Sequence, residues 1–100
     1  MRLVVAVVAP AQVESVRRAL AAVEVTRLTI CDAHGYDLAA PDALAQESVL
    51  EIAVNDDFLA RTVDTIAAVL AAGGGTGRVH VLPMEEAVQL YRAVRGPEAV

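Results

Sequence analysis

Residues 49–83, VLEIAVNDDFLARTVDTIAAVLAAGGGTGRVHVLP, contain a strand, a helix, a glycine-rich turn and another strand in succession. The apolar residues of Ser48–Val54 alternate along the chain, which predicts a strand with two different faces. Asn55 suits a helix N-cap, and the two aspartates that follow it suit the positive start of a helix. The predicted helix carries an apolar stripe at steps of three and four residues, formed by Leu59, Val63, Ile66 and Leu70.

The glycine-rich turn Gly73–Gly77 ends this helix, and Val79–Leu82 forms the next predicted strand. A turn of this kind has two interpretations. It is either a helix C-cap followed by a flexible connection, or a turn whose backbone N–H groups converge on an anion without obstruction by a Cβ atom. Arg78 follows the turn directly and would add charge-assisted hydrogen bonds to a bound phosphate.

The chain before this stretch supplies the other half of the fold. Leu3–Val8 is a continuous apolar run, which indicates a strand buried on both faces. Gln12–Val23 has the helical stripe Val13, Val16, Leu20 and Val23, and Val25–Ala33 is predicted as the second strand. The resulting order βαββαβ predicts an α+β, ferredoxin-like fold with a four-stranded antiparallel sheet.

Three segments are predicted to lie outside the regular sheet and its two helices. His34–Gln46 is predicted as a loop, mobile without a ligand or partner, because Gly35, Asp37, Pro41 and Asp42 provide little apolar surface. Met84–Leu90 is predicted as a short helix. The domain is expected to cover residues 1–96, with a loose tail at residues 97–100.

The composition predicts self-association. Hydrophobic residues make up 56% of the 100-residue chain, and aromatic residues only 3%. A single small domain has difficulty burying so much apolar surface. Two helices can cover only one face of the sheet, and Leu3–Val8 is apolar on both faces. We therefore expect several copies to assemble through the open face of the sheet.

Charge and cysteine content exclude several classes of protein. The net charge of −5 argues against nucleic-acid binding, which needs a basic face. The longest apolar runs, such as Leu3–Pro10, are too short to insert across a bilayer. No signal peptide is evident, and the single cysteine, Cys31, excludes an internal disulfide. These features predict a cytoplasmic protein.

Cys31, His34 and His80 are the residues that suggest metal or nucleophile chemistry. One cysteine and two histidines are too few for a closed zinc site, and no third group orients a Cys–His pair. We therefore predict no metal site and no Cys–His nucleophile. Glu51, on the second face of its strand, is interpreted either as the partner of an interface arginine, Arg2 or Arg27, or as a ligand contact.

Four stretches together resemble the PII signal-transduction proteins over about the whole chain, with a shortened loop between strands two and three. They are MRLVVAVVAPAQVESVRRAL, VTRLTICDAHGYD, VLEIAVNDDFLARTVDTIAAVL and GTGRVHVLPMEEAVQL. The resemblance implies a homotrimer that binds ATP or ADP in clefts between subunits, with 2-oxoglutarate joining through Mg-ATP. It also implies a sensor rather than a catalyst, in which the loop docks onto a transporter, an enzyme or a regulator.

The resemblance assigns roles to eight residues. The strand edge that holds adenine, the glycine at the base of the loop, the acidic residue below the cleft and the phosphate turn correspond to Leu28, Thr29, Gly35, Glu51, Gly75, Thr76, Gly77 and Arg78. Other family positions differ. Gln89 and Tyr91 replace two phosphate-binding arginines, Glu47 replaces a lysine, and Asp37, Leu38 and Ala39 replace a glycine, an arginine and a glutamine.

These replacements imply an effector with few phosphates, AMP or ADP in preference to ATP, and no required cofactor. Nitrogen metabolism or transport is the setting that the resemblance suggests for the regulated partner. Two alternatives remain open. One is a trimeric structural or interaction module that has lost nucleotide binding, and the other is a metal-responsive trimer similar to CutA proteins.

Overall fold

A computed structural model shows a four-stranded sheet covered on one face by two helices, and it describes residues 1–40 and 44–100. The strands are β1 (Arg2–Val8), β2 (Thr29–Asp37), β3 (Ala40–Val54) and β4 (Arg78–Pro83). The helices are α1 (Val13–Ala22), preceded by the 3-10 turn Pro10–Gln12, and α2 (Asp56–Ala72). The C-terminal segment contains two short strands, β5 (Val88–Gln89) and β6 (Val94–Arg95), and the 3-10 turn Gly96–Ala99.

The sheet confirms the predicted ferredoxin-like topology. Its strand order is β2-β3-β1-β4, and all three pairs are antiparallel. Because β1 is central, each of its residues has a neighbour on both sides, and Val5 lies opposite Glu51 on β3 and His80 on β4. This register determines which side chains share a face of the sheet.

The core lies between the sheet and the helices. Alternate residues of β1 and β3 meet the stripes of α1 and α2 there, and the most buried side chains are Val4, Val8, Val16, Leu20, Leu50, Ile52, Thr62 and Ile66. Burial of an aliphatic side chain of this size contributes about 1.5–3 kcal/mol. The apolar stripes predicted on the two helices therefore face the sheet and cover this side of it, as their spacing indicates.

The opposite face of the sheet has no helix against it. Leu3, Val5 and Val7 of β1 are half-buried on this open face. Leu3 is flanked by Ala53 of β3 and Leu82 of β4, and Leu82 is 43% exposed. The structure thus shows the exposed apolar face from which self-association was predicted.

The prediction of a loop at His34–Gln46 is wrong. β2 and β3 continue past the sheet as a two-stranded hairpin, which pairs Tyr36 with Leu44. The Asp37 carboxylate accepts a hydrogen bond from the Ala39 N–H at 2.9 Å, which supports the reversal of the chain. Backbone pairing holds this hairpin together, so its sequence need not show a buried apolar face. Its mobility stays a prediction, and Pro41 and Asp42 lie outside the described residues.

The start of β2 also differs from the prediction. Glu24 has a left-handed backbone, with φ of 68°, and the Val25 N–H donates to the Leu20 carbonyl at 2.9 Å. These features end α1 and turn the chain toward the sheet. Val25 is 6% exposed, so it packs into the core as part of a connection. Its burial, rather than strand pairing, accounts for the apolar signal before Thr29.

The C-terminal segment differs from the predicted short helix. Residues of Met84–Leu90 instead contribute β5, which pairs with β6. Asn55 occupies the predicted N-cap position of α2 without a side-chain capping bond. Its Nδ2 atom donates to the Pro97 carbonyl at 3.0 Å, and this contact holds the terminal 3-10 turn against the domain. The division into residues 1–96 and 97–100 stays a prediction.

An ion pair at the start of α1 predicts a pH-dependent contribution to stability. Arg17 Nε donates to the Glu14 carboxylate at 3.0 Å, and this hydrogen bond and the guanidinium charge lower the pKa of Glu14 from its usual value of 4.5. A carboxylate with a lowered pKa stabilises the folded state above its unfolded pKa, and this contribution is lost as pH falls through the folded value. We expect urea unfolding to show a smaller loss of stability from pH 7 to pH 3 in Glu14→Gln than in the unmodified chain. An equal loss would contradict this assignment.

In the described part of the chain, no helix is long and apolar enough to cross a membrane.

Candidate functional site

The first three glycines of the turn form a helix C-cap. The Gly75 N–H donates to the Leu70 carbonyl at 2.8 Å, and the Gly74 N–H points to the Ala71 carbonyl at 3.5 Å. Gly74 has a φ of 111°, as expected at the left-handed position of a Schellman motif. The Gly75 amide therefore donates its hydrogen bond within the helix end, and its role in ligand binding stays a prediction.

Gly77 brings the end of the turn close to the sheet. Its φ is 120°, and a Cβ atom there would lie 3.0 Å from the Val7 carbonyl oxygen. Only glycine accommodates both the left-handed backbone and this approach. The turn groove, defined here by Val7, Glu47, Thr76, Gly77 and Arg78 among its lining residues, has a volume of 270 Å³.

We expect Gly77→Ala to destabilise the fold more than Gly75→Ala. Both glycines have positive φ, but a Cβ at Gly75 meets no atom within 4 Å. Gly77 also has the less favourable φ, 120° against 76° at Gly75. We expect backbone strain of about 1–3 kcal/mol at Gly75, and at least about 1 kcal/mol more at Gly77 from its φ and its close contacts together. Urea unfolding measures the difference, and equal losses would contradict the close packing of Gly77.

An ion pair spans the turn groove. Arg78 Nη2 lies 3.5 Å from Glu47 Oε2, and the Glu47 side chain is only 22% exposed whereas that of Arg78 is 58% exposed. Gly35, predicted as a ligand residue, makes room for this carboxylate, because a Cβ there would lie 2.0 Å from Glu47 Oε1. The structure therefore places Gly35 behind Glu47, and Glu47 in contact with the predicted phosphate-binding arginine.

The remaining predicted site residues lie together at the other edge of the sheet. Leu28, Thr29 and Glu51 line a cavity of 590 Å³, which also includes Leu3 and Arg27. Thr29 on β2 lies opposite Glu51 on β3, and this pairing accounts for the grouping. Within the described residues, Glu51 forms no ion pair with either arginine that was proposed as its partner.

Thr29 and Arg78, one from each group of predicted site residues, lie on opposite edges of the sheet, because Thr29 belongs to β2 and Arg78 to β4, with β3 and β1 between them. Three strand spacings separate these edges by roughly 14 Å. The predicted site residues of one chain therefore form two separate groups, and Gly35 of β2 belongs with Arg78 because it lies next to Glu47.

The residues considered for a metal site do not converge. Cys31 and His34 are three positions apart on β2, so the alternation of the strand places them on opposite faces. His80 lies on β4, at the far edge of the sheet. Among residues 1–40 and 44–100, no group of three histidine, cysteine or acidic side chains lies close enough to hold a metal ion.

The hairpin formed by β2 and β3 is a feature that the sequence did not predict. β1 ends opposite Ser48, so the part of the hairpin beyond that pair projects from the sheet. We call this part, residues 33–40 and 44–47, the hairpin arm. The side chains of Tyr36, Leu38 and Leu44 on this hairpin arm are 68%, 90% and 56% exposed. Three large apolar residues in a segment predicted as a polar loop were the sequence signal that could have indicated this hairpin.

The fold is that of a small ferredoxin-like α+β domain, with two helices on one face of a four-stranded antiparallel sheet. The profile of the family described as nitrogen regulatory protein P-II matches residues 1–93. Nitrogen regulatory protein GlnK1 of Methanosarcina mazei is 32% identical over 114 residues, which cover 100% of this chain and 97% of that protein. The chain therefore belongs to the P-II family of nitrogen regulatory proteins.

A solved structure supports the same assignment. The crystal structure of Arabidopsis thaliana PII bound to citrate superposes with a TM-score of 0.87 and 26% sequence identity, covering 99% of this chain and 91% of that one. The PII resemblance and the ferredoxin-like fold are thereby confirmed. Membership of this family of regulators implies a homotrimer and a role in signal transduction rather than catalysis.

Proposed function

We propose that this protein is a trimeric P-II-type regulator whose effector is an adenine nucleotide with few phosphates, AMP or ADP in preference to ATP. The effector binds between subunits, and the complex regulates a partner protein, a transporter or an enzyme, in the cytoplasm. No cofactor is required. The observation that carries the proposal is the division of the predicted site between the two edges of the sheet, which a neighbouring subunit would complete.

The β2 edge has the character that an adenine ring needs. Its cavity combines the apolar side chains of Leu3 and Leu28 with the hydroxyl-bearing residues Thr26 and Thr29. Binding sites for flat heteroaromatic ligands combine mostly apolar walls with a few polar groups that fix orientation. We assign Leu28, Thr29 and Glu51 to this half of the site.

The turn groove supplies the phosphate half. Thr76, Gly77 and Arg78 line it, whereas the amide of Gly75 is taken up by the helix end. One arginine can neutralise little of the charge of a triphosphate, and Gln89 and Tyr91 add no charge where the resemblance places two arginines. The bound citrate of the Arabidopsis thaliana relative supports an anionic effector on this fold.

The hairpin arm is the part of the surface that we assign to partner docking. Exposed aromatic and leucine side chains such as Tyr36 and Leu38 are the kind of anchors that become buried in protein interfaces. The nitrogen regulatory description of both the family and the GlnK1 relative supports a partner in nitrogen metabolism or transport.

Calorimetric titration of the purified chain with AMP, ADP and ATP tests the proposal. We expect binding of AMP or ADP at least as tight as that of ATP. No heat with any of the three nucleotides at millimolar concentration would overturn the nucleotide proposal. In that case the second candidate, a trimeric interaction module without an effector, would be the better interpretation. The contact of Glu47 with Arg78 favours it, because the arginine already has an acidic partner.

A further inference from the structure

We infer that Glu47 determines how many phosphate charges the turn groove accepts, because its carboxylate lies against the guanidinium of Arg78 and offsets its charge. This inference rests on the proposed nucleotide site and names a residue that sets its specificity. Glu47 is the acidic member of the pair at 3.5 Å, so a phosphate bound to Arg78 either displaces this carboxylate from Nη2 or shares the guanidinium with it at close range.

The position of Glu47 is built into the fold. It lies on β3 opposite Ala33 of β2, next to the last residues that pair with β1. Its carboxylate fits over Gly35, where any Cβ would collide with Oε1 at 2.0 Å. The side chain is 22% exposed and that of Arg78 is 58% exposed, so the arginine is the freer of the two partners. The competing carboxylate therefore lies next to Arg78 before any ligand arrives.

The charges of the groove explain the expected selectivity. Glu47 and Arg78 are the only ionisable side chains among its lining residues in the described structure, and their charges cancel. Because the groove is neutral, each additional phosphate of a ligand adds little to its binding affinity. The Glu47 carboxylate also repels every added negative charge. Without that carboxylate, Arg78 is free and affinity should rise with the number of phosphates.

The test compares Glu47→Gln with the unmodified chain by calorimetric titration with AMP and with ATP. An exposed ion pair contributes a factor of about five at most to an equilibrium constant. Loss of the Glu47–Arg78 pair should therefore let Glu47→Gln bind AMP about threefold tighter than the unmodified chain does. ATP carries more charge and should gain about tenfold or more. The ratio of the ATP and AMP dissociation constants should thus shift at least about threefold toward ATP.

Glu14→Gln is the matched control. Glu14 also pairs with an arginine, and its replacement changes the net charge by the same amount, but it lies on the exposed side of α1. We expect this variant to leave the ATP-to-AMP ratio unchanged. An equal ratio in Glu47→Gln and Glu14→Gln would overturn the inference while the proposed nucleotide function stands.

Titration with inorganic pyrophosphate separates failure of the inference from failure of the proposed function. Pyrophosphate needs only the turn groove and not the adenine half. If no variant binds a nucleotide, the proposed function fails. The pyrophosphate titration still tests whether Glu47 limits the negative charge that the turn groove accepts. Tighter pyrophosphate binding in Glu47→Gln than in Glu14→Gln supports the inference, and equal or undetectable binding in both overturns it.

Discussion

A Leu3→Asp variant is expected to be a monomer at micromolar concentration, and the unmodified chain is expected to be a trimer. Leu3 lies on the open face of the sheet between Ala53 and Leu82, so the new carboxylate would have apolar neighbours on both sides. Burying an unpaired charge costs several kcal/mol, and a threefold assembly would contain three of them. Light scattering and sedimentation velocity measure the change in mass.

Leu38→Asp provides the control for this prediction. It is the same substitution at the tip of the hairpin arm, where Leu38 is 90% exposed and outside the open face. We expect this variant to remain trimeric with unchanged thermal stability. A trimeric Leu3→Asp variant would show that the open face is not the assembly surface, and a monomeric unmodified chain would refute the trimer altogether.

The second large effect is expected at Arg78. Arg78→Ala should weaken AMP and ADP binding about tenfold or more, because a hydrogen bond to a charged group contributes about 1.5–3 kcal/mol. The loss also leaves the half-buried Glu47 carboxylate uncompensated next to the ligand, which adds repulsion. The assembly should stay intact, since this change leaves the apolar residues Leu3, Val5 and Val7 of the open face in place. Calorimetry measures the affinity, and light scattering the mass.

Arg18→Ala is the charge-matched comparison for this variant. Arg18 lies on α1 with a 76% exposed side chain and also pairs with a carboxylate, that of Glu14. Its removal should leave nucleotide affinity within about twofold of the unmodified chain. If Arg78→Ala binds as tightly as Arg18→Ala, the glycine-rich turn is only a helix stop with an ordinary surface ion pair beside it.

Strong local patterns predicted most of the fold. The stripe Leu59, Val63, Ile66 and Leu70 predicted α2, and the apolar run Leu3–Val8 predicted the central strand. These patterns are informative because burial against a core selects apolar residues with the period of the element. The hairpin arm has no core beside it, so its sequence contained no such period, and it was predicted as a loop.

The site divides in the same way. The sequence by itself determined which residue types were available: the glycine-rich turn before Arg78, the Leu28–Thr29 edge and the acidic Glu47 and Glu51. Only the tertiary structure decided that Glu47 meets Arg78 across 31 positions of the chain, and that Thr29 and Arg78 lie on opposite edges. The physical reason is that patterns along a chain record what each segment buries locally. Strand order and register decide which distant side chains meet, and these follow from packing of the whole domain.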